Sequence, residues 1–450
     1  MKNNIILGLL FLSSLTGFGQ EVLNLQQCRE MALDNNKQMA AAVKQTEGAL
    51  YMQKSFKGNF FPDFKAYGND MFATMDGTLS VPGGNLPVFL PTNPTVPAGF
   101  AYFPGIDLNM KVKNIFMAGV QLEQPLYMGG KIRAAYQMSK LGTEVARLNE
   151  RLTASEVILQ TENAYALLVK AQEMKKVAVS YESLLRELMK VVESAHQHGL
   201  KPKNDVLKVQ VKLNESELSI RKADNACRLA TMNLCHLIGK PLDSELLIEA
   251  VYPHVPANAA VGTASIGDRP EYSMLNRKVA LAEQEVKLQR STMLPQVGVR
   301  GSFDYTDGVK VNDQKLFNKG GFAVMLNVTV PIYHFGERQN KVKAAKAKLE
   351  QARLEQTDLN EKMRLELMQA ENNLDEARLE AELADRSLEQ AAENQRVSKS
   401  EYEAGLETLS DHLEAQALWQ DAYATQVNAR FQMYLKYVQY LKAAGQLQAQ

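Results

Sequence analysis

The chain has 450 residues with 51 basic and 51 acidic side chains, so it carries no formal net charge, which argues against a nucleic-acid binder. Three cysteines exclude a disulfide-stapled scaffold or a Cys-rich zinc module. A hydrophobic content of 45% with 23% charged residues excludes global disorder.

The first residues carry Lys2, an apolar run from Ile5 to Leu15, and small residues at Gly17 and Gly19. This pattern predicts a secretory signal peptide over 1–19, too short to span a bilayer. Cys28 lies too far beyond the apolar run for a lipid anchor. No later run of 18 apolar residues occurs, so any membrane crossing must be made by β-strands.

Beyond the signal the sequence repeats itself. Gly119–Gly130 (GVQLEQPLYMGG) resembles Met325–Gly336 (MLNVTVPIYHFG), with Pro125 and Pro331 separated by 331 − 125 = 206 positions. The same offset relates GLKPKNDVLKVQ from Gly199 to GLETLSDHLEAQ from Gly405, and Gly239 to Gly445. Upstream, Pro62 matches Pro295 with an offset of 295 − 62 = 233, so the first copy carries extra residues. They are expected in Asp76–Gly105, where Pro and Gly crowd together as in a long surface loop. The expected organisation is a first repeat over 20–240, a linker or equatorial segment over 241–263, and a second repeat over 264–450.

Within each repeat the period changes. Leading helices are expected at Leu23–Asn59 and Pro270–Met293. β-Hairpins follow at about 62–126 and 295–332, where apolar and polar residues alternate, as in Phe322, Val324, Leu326, Val328 and Val330. A half-buried soluble sheet would show the same alternation. Long helices are expected at 131–198 and 337–404, nearly free of Gly and Pro and rich in strong helix formers. Each would be about 100 Å long, a length found in coiled coils and helical barrels. Returning helices follow at 203–238 and 410–444. Four strands cannot close a barrel, and unpaired strand edges are forbidden in hydrocarbon, so membrane strands would have to be pooled among several chains.

The order helix–strand–strand–long helix–turn–helix, given twice, resembles the TolC-type outer-membrane efflux proteins. So do the strand ends Pro125-Leu-Tyr-x-Gly-Gly130 and Pro331-Ile-Tyr-x-Phe-Gly336, and the motif Tyr402-x-x-Gly405-Leu-x-x-x-x-Asp411-x-Leu413. The resemblance covers nearly all of the mature chain. It implies a mainly α fold with a small β part: a homotrimer with a twelve-stranded transmembrane β-barrel, four strands per chain, continuing into a long periplasmic α-helical barrel. The implied role is an exit duct in the outer membrane of a Gram-negative bacterium, serving a tripartite efflux or type I-like secretion system. Such a duct performs passive transport of small molecules or polypeptide, is not an enzyme and has no cofactor. Its implied partners are outer-membrane lipid, a periplasmic adaptor and an inner-membrane transporter, with no nucleic acid. The rival reading is an exported coiled-coil adaptor or structural protein without a membrane barrel.

By the same resemblance, Asp411 and Glu414 match residues ringing a periplasmic aperture, and Asp205 and Tyr402 a latch that holds the coiled coils shut. The alternative for Asp205 and Asp411 is a place at helix N-termini favoured by the dipole. Glu407 stands where the family often carries a basic latch residue and cannot make that salt bridge to Asp205. Gly199, Leu200, Gly405 and Leu406 are expected at exposed turns that an adaptor would touch, glycine suiting the left-handed end of a helix. Pro202 should make the two turns unequal. Tyr67, Phe72, Tyr127, Tyr305, Phe322 and Tyr333 could form an interfacial aromatic belt, or simply pack. The catalytic inventory is thin: His196 and His198 lie on different helix faces, and Cys227, Cys235 and His236 match no ligand spacing. Cys28, Cys227 and Cys235 are expected to be free thiols. No Walker loop, G-x-S-x-G or H-E-x-x-H occurs.

Overall fold

The computed structural model describes residues 22–91, 93–252, 255–256, 265–315 and 319–447. The expected signal peptide lies outside them, as do residues 253–254 and 257–263 of the expected linker. In order, the elements are β1 (Val22–Leu23), α1 (Leu25–Asn35), α2 (Lys37–Gly58), β2 (Asp63–Val81), β3 (Gly84–Leu90), β4 (Asn93–Phe103) and β5 (Ile106–Met128). Then come α3 (Lys131–Gln197), α4 (Lys203–Ile238), β6 (Leu247–Ile248), α5 (Pro270–Ser291), β7 (Gln296–Val311), β8 (Gln314–Lys315), β9 (Gly320–Thr329), α6 (Glu337–Glu403) and α7 (Leu409–Ala443). Contacts divide the chain into two units. One holds Met1–Gly48, Glu144–Lys278 and Arg353–Gln450, the other Ala49–Thr143 and Val279–Ala352.

The helix limits follow local chemistry. α3 and α6 each run 67 residues, and both begin and end 206 positions apart. Each is preceded by two residues of positive φ, Gly129 and Gly130 in one case and Phe335 and Gly336 in the other. α2 and α5 are both 22 residues and start 270 − 37 = 233 positions apart. The leading helix expected at Leu23–Asn59 is two helices rather than one. Asn36 between them is extended, and its side chain accepts from the Gln38 amide (2.8 Å) and donates to the Leu237 carbonyl (3.4 Å). An Asn that bonds local backbone offers the chain an alternative to the helix ladder.

In the first unit the core is built from α1, α3, α4 and α7. Tyr165, Leu168, Val169, Leu234, Ile238 and Tyr434 are buried there together with Cys28. The parallel ribbon β1–β6 adds Leu23 and Ile248 to this core. Glu162 is fully buried among these residues, ion-paired with Arg29 and accepting the Tyr434 hydroxyl hydrogen bond. Burial raises its carboxyl above the usual range, opposed by the Arg29 charge. Cys28, Cys227 and Cys235 are free thiols, and burial pushes Cys28 up to about 11.

In the second unit β2, β5, β7 and β9 form an antiparallel sheet in that order. The long loop expected at Asp76–Gly105 is instead β structure. β2 and β5 remain paired beyond an irregularity at Phe72/Met75, as far as Val81↔Ile106, and β3 and β4 make a separate hairpin. Proline density misled the expectation because a two-stranded ribbon has two free edges. Pro87, Pro94 and Pro97 can place their missing N–H there or at the ribbon's register shifts.

Candidate channel sheet and helix-turn site

The sheet register sorts side chains onto two faces of opposite character. One row reads Phe64, Leu122, Gly301 and Val324, and the next Ala66, Val120, Phe303 and Phe322. Phe64, Val120, Phe303, Phe322 and Val324 are all more than half exposed. From Val297 to Tyr305 along β7 this apolar face spans about 26 Å, close to the height of an outer-membrane barrel's apolar band.

The other face is polar. Asp63, Glu123 and Arg300 share a row, with Lys65 two residues on from Asp63 along β2. Lys65 pairs with Asp63 at 2.9 Å and Glu123 at 3.4 Å, and Arg300 reaches Glu123 at 2.5 Å. In the row Tyr67, Gly119 and Asp304, the Tyr67 hydroxyl donates to Asp304 across the central strand. Gly119 makes room for that bond, since a Cβ there would lie 2.6 Å from Asp304 Oδ1 and 2.7 Å from the Phe303 carbonyl oxygen.

The helix turns carry the residues singled out in the sequence. Gly199 and Gly405 both have φ +75°. Leu200 N–H donates to the Ala195 carbonyl at 2.8 Å, and Leu406 N–H to that of Glu401 at 2.9 Å. Both are Schellman endings that satisfy carbonyls otherwise left open. Leu200 and Leu406 project into solvent, 76% and 81% exposed.

Tyr402 and His412 lie between the α6–α7 turn and its neighbours. Tyr402 is buried with Leu185, Val192, Val209 and Leu409, and Lys201 Nζ sits 5.0 Å from its ring centre. Burial raises its phenol above the usual range, with a smaller contribution from Asp205. The ring stacks on His412, whose Nδ1 is 3.0 Å from Ser398 Oγ and whose Nε2 is 2.9 Å from Gln416 Nε2. Ser398 donates to Glu407, so its oxygen accepts from His412 Nδ1–H, and Nε2 accepts from the Gln416 amide. Burial holds the His412 imidazole below its ordinary pKa.

The carboxylates divide by role. Asp411 accepts from Thr408 Oγ1 at 2.7 Å, while its own N–H donates to that oxygen at 3.3 Å. Within this chain Asp411 is therefore part of the α7 N-cap, and Glu414 is exposed about one turn farther along. The α4 N-cap, Pro202, has no side-chain cap bond. Asp205 stands in the first turn of α4. His196 and His198 bond separate backbone carbonyls, of Lys201 and Ser194.

The family model for outer membrane efflux proteins matches residues 28–240 and 265–446. The chain belongs to that family. The pyoverdine export outer membrane protein OpmQ of Pseudomonas aeruginosa is 22% identical over 73% of this chain and 70% of its own length. The CmeC outer membrane channel of Campylobacter jejuni superposes with a TM-score of 0.75 at 20% identity, over 94% of this chain and 86% of CmeC. VceC of Vibrio cholerae gives 0.74 at 14% identity, over 94% and 96%.

This outer membrane efflux protein has the TolC-like fold that its sequence resembles, and the outer membrane is its location. Sequence reasoning found the two turns and singled out Glu407 but missed Ser398, His412 and Gln416, which gather beside it. Only the motif spacing hinted at them, since His412 lies between Asp411 and Leu413 of the recognised signature. It also missed Tyr67–Asp304, because a bond spanning 237 positions leaves no local trace.

Proposed function

We propose that three copies of this protein pool their sheets into a twelve-stranded barrel and form the exit duct of a tripartite efflux or type I-like secretion system. One observation carries the reading. The sheet β2-β5-β7-β9 is apolar on one face and polar on the other, and among the described residues β2 and β9 pair on one side only. Open edges cannot stand in hydrocarbon, so closure requires other copies, and symmetry closes a ring without leftover edges. The apolar face then meets lipid and the face bearing Lys65, Glu123, Arg300 and Asp304 lines water.

The two segments 20–240 and 264–450 act as structural copies in this reading, supported by the shared helix lengths and offsets. The helices extend as a periplasmic tunnel. Leu200 and Leu406 offer exposed apolar contacts to a periplasmic adaptor, which links the duct to an inner-membrane transporter that does the work. Asp411 and Glu414, brought together on three chains, ring the aperture. Tyr402 and Asp205 hold the helix turns closed, with Glu407 fastened to Ser398 instead of to a cationic partner. The duct carries its cargo passively and performs no chemistry. An adaptor or structural rod without a barrel would leave the exposed apolar sheet face unexplained.

Planar-bilayer recording of the detergent-extracted protein tests the reading. Heat-modified gel mobility and discrete channels are expected, and Asp411→Ala with Glu414→Ala should raise conductance and weaken block by multivalent cations. A folded single subunit, soluble without detergent and silent in bilayers, would refute the duct. Unchanged conductance and block in the double variant would remove only the aperture.

A further inference from the structure

We propose that the helix turns adjoining the sheet bind the phosphates of anionic phospholipids in the leaflet where strand gives way to helix. This rests on reading β2, β5, β7 and β9 as membrane strands. Each of them joins a helix at one end: α2 enters β2, β5 enters α3, α5 enters β7 and β9 enters α6. The seven helical residues nearest each junction lie within about 10 Å of it, roughly one Debye length.

Together those four stretches carry nine Lys or Arg and only two acidic residues, Glu285 and Glu337, in a chain that is neutral overall. One of the two acids is already engaged, because Glu337 pairs with Lys341 at 2.5 Å and with His334 at 2.7 Å. Lys131, Arg133 and Lys343 are exposed. Helix stability does not account for Lys131 and Arg133, since α3 has no acidic residue in its first turn and cations there oppose the macrodipole.

Aromatic side chains accompany the charge: Tyr127 and Tyr333 stand exposed at two of the same junctions. Aromatic rings beside cations match the headgroup layer, where rings sit between oil and water and Lys or Arg meets phosphate. Phosphate held in a bilayer is the ligand, because the basic groups are spread over four helix ends at one level of the sheet instead of converging on one cavity.

The test uses the full-length protein reconstituted in equimolar phosphatidylethanolamine and phosphatidylglycerol, then extracted and analysed by native mass spectrometry for retained lipid. Wild type should retain phosphatidylglycerol over phosphatidylethanolamine by roughly tenfold. Lys131→Gln, Arg133→Gln and Lys343→Gln combined should abolish the preference, Lys343→Gln alone should reduce it, and high salt should erase it in wild type. Equal retention of both lipids by wild type, or a preference that survives either salt or the triple variant, would overturn the proposal. A triple variant with unchanged lipid preference but altered ion selectivity would place these side chains in the lumen and also overturn it. Absence of any heat-modified oligomer in wild type would instead remove the membrane-strand reading beneath it.

Discussion

The Tyr402 ring lies against the His412 imidazole with centres 5.1 Å apart and planes 3° from parallel. His412 is buried with its two nitrogens engaged by Ser398 and Gln416, an arrangement for the neutral ring. A histidine whose folded pKa is depressed binds fewer protons folded than unfolded, so its contribution is present above the unfolded value and lost as pH falls. Thermal unfolding should therefore show stability declining as pH drops below about 6.5. His412→Gln should flatten that decline. An identical slope in the variant would show that His412 does not report on acid.

Glu162 depends on two partners from distant parts of the chain. Glu162→Ala would leave the Arg29 guanidinium and the Tyr434 hydroxyl without their acceptor, and should cost about 3 kcal/mol. Arg29 retains partial solvent access, which keeps the cost toward the lower end of the range for broken buried pairs. Glu162→Gln should cost less. Denaturant titration followed by tryptophan emission checks the ranking.

Gly119 and Tyr67 separate steric from hydrogen-bond effects in the sheet. Gly119→Val should displace Asp304 and lower the yield of heat-modifiable folded protein, because part of the obstruction is the Phe303 backbone. Tyr67→Phe removes only the hydrogen bond and should lower the folded yield less than Gly119→Val does. Comparable folded yields for Gly119→Val and wild type would show that the strands can separate without penalty.

The two returning helices begin differently, and exchange should reveal it. Thr408→Ala removes the α7 N-cap and should destabilise that end by about 1 kcal/mol, raising hydrogen exchange at residues 409–412. Pro202→Thr should protect the start of α4 by a similar amount, since the other turn tolerates Thr at the matching position.

Most of the helical framework was legible because its causes are local. The starts and stops of α3 and α6 fall within one residue of expectation, fixed by the positive-φ residues before them and by Gly199 and Gly405 after them. The Asn36 break was not legible. A single Asn inside a helical pattern signals nothing until the Leu237 carbonyl, 201 positions away, gives its side chain a partner. The β3–β4 hairpin was hidden for a related reason: proline marks a loop by propensity, whereas an isolated ribbon has free edges that accept it.

The sequence alone determined the alternation of periods, the 206-position offset and the glycine-bounded helix ends, since each depends on backbone preference within a few residues. Tertiary structure decided which charges meet. Tyr67 reaches Asp304 through strand register, Arg29 and Tyr434 meet on Glu162, and Glu407 joins Ser398 and, through it, His412. Those partnerships depend on how elements distant in sequence are aligned, and a hydrogen bond is sensitive to displacements smaller than any local pattern encodes.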